Sequence, residues 1–174
     1  MAKYRLVGLA TVKVGAVNTT TYAMPSTFTT IANIVPGTAV LAIEMPTKSK
    51  YFTEDSDYAD IVVSETGAKT VEFATRDMGL SYLTLALGGS NTTTVWSAAT
   101  TPVGVVEKSL QLVSKAYSGK TYTFAIPVAE FSGGGNLRFS NKGATEPGVL
   151  NFAAEVIMGE NSTGNVAPIT ATIS

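Results

Sequence analysis

The sequence predicts a mainly β domain, a two-sheet sandwich or open barrel with one short flanking α-helix and one long β-hairpin. Three observations predict it. Thr, Val, Ile, Tyr and Phe, the residues that suit a pleated, half-buried surface, are abundant throughout. Turn signals interrupt them at short intervals: Pro36-Gly37, Thr66-Gly67, Ser118-Gly119, Gly133-Gly134-Gly135 and Pro147-Gly148. A single stretch changes from strand-like to helical spacing. At 174 residues the chain is one domain with enough length to bury a core.

Taken in order, strands are expected near 4–14, 29–35, 38–45, 51–53, 60–64, 70–75, 105–117, 121–131, 136–140 and 149–158. Many short strands with turns between them argue for packed or closed sheets. The exception follows Asp77, whose carboxylate suits a helix N-cap. Leu80, Leu83 and Leu87 then fall at i, i+3 and i+7, the stripe of a helix lying on a core. Gly88 can take the left-handed conformation that ends it.

The longest paired run is 105–131. A three-residue turn, Ser118-Gly119-Lys120, places Leu110 opposite Val128, Leu112 opposite Ile126, Ser114 opposite Phe124 and Ala116 opposite Tyr122. That face is largely apolar. The other carries Gln111, Val113, Lys115, Tyr117, Thr121, Thr123 and Ala125, small and mostly polar. One face wants a core and the other can meet water. Strands of about ten residues exceed the usual five or six, a length that also suits a sheet shared between subunits.

Composition narrows function more than fold. Charged residues make up only 14% of the chain, below the roughly 25% of soluble domains. A surface so poor in charge hints at cover by other copies. Twelve basic and thirteen acidic residues give a net charge of −1 with no basic cluster to grip nucleic acid. Cysteine and histidine are both absent. Their absence removes disulfides, thiolate and imidazole metal ligands, Ser-His-Asp and Cys-His catalysis and the imidazole general base. The chain opens without a secretion-signal pattern and holds no run of ~20 apolar residues, so no membrane association is expected.

The motifs that remain are weak. Glu54, Asp55, Asp57 and Asp60, followed by Glu65, form the densest carboxylate group. A calcium loop starting at Asp55 fails, because Ala59, Asp60 and Thr66 stand where a ligand, the glycine and the bidentate glutamate belong. A solvated acidic loop is the simpler reading. Ser118-Gly119-Lys120-Thr121 ends like a phosphate-binding loop, but Ser114 replaces the first glycine and a strand follows where a helix is needed. Three Asn-x-Ser/Thr sequons, at Asn18, Asn91 and Asn161, carry no weight without a secretion signal. Trp96 lies in a polar stretch and reads as a loop anchor or a ligand platform. No catalytic, cofactor-binding or metal residues are assigned, and no enzyme is expected.

The order of these features is familiar. A Thr-rich β half leads to Tyr51-Phe52-Thr53-Glu54-Asp55-Ser56-Asp57 and to Thr70-Val71-Glu72-Phe73-Ala74-Thr75. The short helix follows, closing on Leu87-Gly88-Gly89. After it come the hairpin ending in Ala125-Ile126-Pro127-Val128-Ala129-Glu130-Phe131 and the strand Val149-Leu150-Asn151-Phe152-Ala153-Ala154-Glu155-Val156-Ile157-Met158. This layout resembles the major tail tube proteins of tailed bacteriophages over most of residues 30–160.

The resemblance implies a structural virion protein, assembled in the host cytoplasm and found in the viral tail. Its copies would form hexameric rings that stack into a tube, the long-hairpin sheets joining into a barrel around a lumen through which the genome is ejected. Its partners would be other copies of itself and further tail proteins: tape measure, tail terminator and baseplate. DNA would be a transient, non-specific passenger. Gln111, Lys115, Thr121 and Thr123 become the candidate lumen-facing residues. Family lumens tend to be acidic, so Lys115 implies either a carboxylate partner or a different register. The loop carrying Glu54, Asp55, Asp57 and Asp60 is the candidate inter-ring contact. The segments 1–30 and 160–174 are candidate inter-subunit arms. Rival readings are a capsid decoration or baseplate protein and a carbohydrate-binding adhesin module. The adhesin would need Trp96 and neighbouring tyrosines exposed on one face.

Overall fold

The computed structural model describes residues 7–51, 61–100, 104–139 and 148–174. Its elements in order are β1 (Val7–Gly15), β2 (Thr29–Ile31), β3 (Val40–Ile43), β4 (Thr47–Tyr51), β5 (Ile61–Glu65), β6 (Lys69–Thr75) and α1 (Leu80–Leu87). There follow β7 (Ser90–Asn91), β8 (Trp96–Ser97), β9 (Val106–Lys115), β10 (Tyr122–Phe131), β11 (Asn136–Arg138) and β12 (Val149–Val156). The last three are β13 (Glu160–Asn161), β14 (Gly164–Asn165) and β15 (Thr170–Ile173). The chain is mainly β, as expected.

Among the described residues nine strands form one antiparallel sheet in the order β2-β1-β9-β10-β12-β6-β3, with β11 beside β12 and β15 beside β10. The pairs β4–β5, β7–β8 and β13–β14 are separate hairpins. The sheet curves round its contents. A cleft of 380 Å³ is lined by Leu9 of β1, Leu112 of β9 and Phe124 of β10 on one side and by Leu41 of β3 and Val71 and Phe73 of β6 on the other.

Alternation along each strand fills the interior. Val12, Leu110, Leu112, Ile126, Val71, Phe73, Leu150 and Phe152 are buried and belong to one cluster. Phe73 and Phe152, directly paired on β6 and β12, stack with centroids 4.6 Å apart, and Phe131 meets Phe152 edge-on at 6.4 Å. Each such side chain contributes about 1.5–3 kcal/mol by leaving water.

The central hairpin differs from expectation in its turn. Tyr117 and Lys120 exchange backbone hydrogen bonds of 2.9 and 3.0 Å, so the loop is the two residues Ser118-Gly119. Both have positive φ, 51° and 74°, the pattern of a type I′ turn, whose twist matches that of the strands. The shorter loop moves the register by one residue and an extra residue in β9 beside the turn moves it by one more, so Leu112 opposes Phe124, not Ile126, and Leu110 opposes Ile126, not Val128. The shift is two residues, so the apolar and polar faces keep their identity. Near the turn β9 carries an extra residue, and the buried Ser114 supplies what the ladder lacks there by accepting the Tyr122 amide at 2.8 Å.

A second irregularity sits at Pro127. The register shifts between Ile126 and Ala129, so Pro127 and Val128 face the single residue Ser109. Proline has no N–H to give the ladder and belongs at such a bulge. The buried Ser109 hydroxyl donates to the Pro127 carbonyl at 2.6 Å, and the Val128 carbonyl accepts from Ile157 N–H at 3.1 Å. The bulge divides β10 between two neighbours: residues 122–125 pair with β15 and residues 129–130 with β12.

The helix forms where expected, with two corrections. Its N-cap is Gly79, which makes no side-chain cap. Asp77 lies two residues earlier and accepts from the Gly79 amide at 3.2 Å. Leu83 and Leu87 of the expected stripe pack against the core, joined by Tyr82, Leu85 and the buried Ala86, whereas Leu80 is not part of that cluster. The chain leaves through Gly88 at φ 73°, ψ −163°, a conformation left to glycine. Gly135 then passes so close that its amide bonds the Ala86 carbonyl at 2.9 Å, and a Cβ there would collide with the Asn151 carbonyl oxygen.

Candidate assembly face

Directly opposed residues of an antiparallel pair share a face, so the pairing register maps the outward side of the sheet. Thr11, Val113, Thr123 and Thr172 form one cross-strand row over β1, β9, β10 and β15. The next row is Thr30, Lys13, Gln111, Ala125 and Thr170, extending onto β2. These rows are small and uncharged except for Lys13; Thr30, Thr170 and Thr172 are exposed and the rest are partly buried. Of the expected residues, Gln111 and Thr123 thus lie on one face in adjacent rows.

Lys115 stands at the turn end of β9, exposed and opposite Val7. The register does prove different from the one expected, but alternation still leaves Lys115 on the outward side. Thr121 lies just before β10. Its amide donates to the Ser174 carbonyl at 2.9 Å, and its hydroxyl shares a 2.8 Å hydrogen bond with that of Ser174. Glu54, Asp55, Asp57 and Asp60 fall outside the described residues.

Beyond the Pro127 bulge the outward face changes character. Glu107, Glu130 and Glu155 oppose one another across β9, β10 and β12, and Glu72 stands one row further on, opposite Ala153. Sequence reasoning missed this row because an unbroken register turns Glu130 toward the core, opposite Lys108. The extra residue at the bulge sends Ala129 and Phe131 inward and Glu130 outward. The signal that could have found it is Pro127 in mid-strand. Among the described residues no group of His, Cys, Asp or Glu is arranged to hold a metal ion.

The borders of the sheet differ. At β2 the Thr30 carbonyl accepts from the Tyr82 hydroxyl of α1 at 3.1 Å. Burial, with Asp77 nearby as the lesser cause, raises the Tyr82 pKa above its ordinary value of 10.0 and keeps that donor protonated. Among the described residues no comparable hydrogen bond reaches β15. Thr170, Ala171, Thr172 and Ile173 are all exposed, pair with β10 without a bulge, and carry neither charge nor proline, the devices that usually blunt an edge.

The clefts offer little chemistry. One of 560 Å³ between β1, β2 and α1 has Tyr82 and Lys108 as its ionisable groups. Another of 320 Å³ brings Glu72 and Arg138 together with Asn136 and Asn151. Trp96 directs its indole N–H to the Gly88 carbonyl at 3.0 Å, tying the loop after α1 to the helix end. No described helix is long and apolar enough to cross a membrane. No protein-family model matches the chain, and no curated protein matches it.

Proposed function

We propose that the chain is a structural virion protein, the subunit of a bacteriophage tail tube, which associates with its own copies into stacked hexameric rings. The observation that carries this reading is the outward face of β1, β9, β10 and β15. It is continuous, small and mostly uncharged at its centre, lined with glutamates at one end, and bordered by the exposed strand β15.

In this reading the curved sheet packs as two layers, and the face lines a lumen. Threonine and glutamine offer passing DNA no anchoring charge, and Lys13 is the one cation in the two central rows. The β15 edge continues the sheet into the next copy, where unpaired backbone groups find partners. The reading assigns the protein no catalysis and no cofactor, and gives it further tail proteins as partners at the tube ends.

Negative-stain electron microscopy with light scattering, over a range of protein concentrations, tests it. Six-membered rings or hollow tubes are expected. A persistent monomer or trimer would reject the tube in favour of a decoration or binding module.

A further inference from the structure

The outward face is electrically polar along its strands. At the hairpin turn stand Lys115 and Lys120, both exposed. At the other end of the same hairpin stand Glu107, Glu130 and Glu155, whereas Glu72 beyond them shares a cleft with Arg138. Eight residues of strand separate Lys115 from Glu107, about 26 Å at the usual rise, so neither group neutralises the other within one chain at physiological salt.

The glutamate row is also a local cost. Like charges directly opposite across a sheet are destabilising, and here three strands each place a carboxylate in the same row. Departures from local consistency of this kind gather where a chain meets something else. What it meets must bring positive charge, and the hairpin turn of another copy does so.

We propose that these two ends form a contact between copies, with Lys115 and Lys120 of one copy set against Glu107, Glu130 and Glu155 of the next. The contact is heterologous: filling the glutamate end of one copy leaves its own turn free to engage another. Such contacts propagate into open stacks rather than closing as dimers. The proposal rests on the tube reading, in which it joins one ring to the next. It would be a ring-to-ring contact separate from the one expected of Glu54, Asp55, Asp57 and Asp60.

Charge exchange tests it. K115E/K120E makes both ends negative, and E107K/E130K makes the glutamate end positive like the turn. Each variant alone should need at least ~10-fold more protein than wild type to form tubes, while an equimolar mixture should assemble within ~3-fold of wild type, as alternating charges meet again. Raising salt from 0.05 to 0.5 M should raise the wild-type threshold several-fold. Circular dichroism establishes that each variant is folded. Should a reversal unfold the chain, K115Q/K120Q and E130Q give the same test with a smaller shift.

Folded variants that assemble alone at the wild-type threshold would overturn the contact, as would a mixture that fails to recover. In both cases wild-type tubes leave the tube reading standing. A wild-type chain that forms no rings or tubes would overturn both.

Discussion

Two hairpins of the protein differ greatly in standing. β9–β10 lies in the middle of the sheet, with β1 on one flank and β12 and β15 on the other, and it buries Leu110, Leu112, Ile126, Ala129 and Phe131. β4–β5 pairs five residues, from Thr47 opposite Glu65 to Tyr51 opposite Ile61, and forms a sheet of its own. Thr47, Lys48, Ser49 and Lys50 are all exposed, and Val63 is 42% exposed. The backbone pairing is the same in kind. The difference is the third partner, because an isolated two-stranded hairpin is at best marginal in water. The central hairpin is held by the domain, whereas β4–β5 depends on whatever lies beside it, which on the tube reading is another ring.

The sharpest way to break this comparison is to empty the core that the central hairpin covers. Phe152→Ala removes both aromatic contacts of that ring and should lower the unfolding free energy in urea titration by about 3–5 kcal/mol. Lys50→Ala on β4 should change it by less than ~0.5 kcal/mol. Equal effects would mean that the two hairpins belong to one cooperative core.

A smaller effect tests the bulge. Ser109→Ala leaves the Pro127 carbonyl without its buried donor and should cost about 1–3 kcal/mol, again in urea. A neutral result would show that the bend of β10 needs no hydrogen bond at its centre.

The smallest effect concerns the sheet border at β2. Burial and Asp77 raise the Tyr82 pKa above 10.0, so the folded chain holds this proton more tightly than the unfolded one. The associated stability is intact below pH 10 and declines as pH rises through the folded value. Tyr82→Phe should cost at most ~1 kcal/mol at neutral pH and flatten the alkaline decline. An unchanged alkaline profile would place the titrating group elsewhere.

Much of the fold was legible because its signals are local. The strands at 70–75 and 121–131 and the helix ending at Gly88 follow from alternation, periodicity and punctuation, and the structure has β6, β10 and α1 there. The polar and apolar faces of the hairpin were legible too, since a two-residue shift in register preserves them. What escaped depends on pairs far apart in sequence. β15 was not anticipated because Thr170–Ile173 buries nothing and carries no core pattern; only the vacant flank of residues 122–125 makes it a strand. The glutamate row needed both the Pro127 bulge and the pairing of β12 with the end of β10. That Gln111 and Thr123 share one face of the sheet follows from simple alternation, which fails one bulge later.

The position of β1 bears on how the chain is made. Its principal neighbour is β9, and Val12 lies beside Leu112, so the two halves of that pair leave the ribosome about a hundred residues apart. At translation speeds of roughly 5–20 residues per second, β1 waits on the order of 5–20 s for its partner. Of the two strands that β1 pairs with among the described residues, β2 alone is synthesised during that interval, and Val12 and Val14 wait for β9 to cover them. β15, which completes the flank of β10, follows later still. A nascent chain stalled before residue 106 should therefore be far more sensitive to protease than the finished protein, although it already carries β1 to β8.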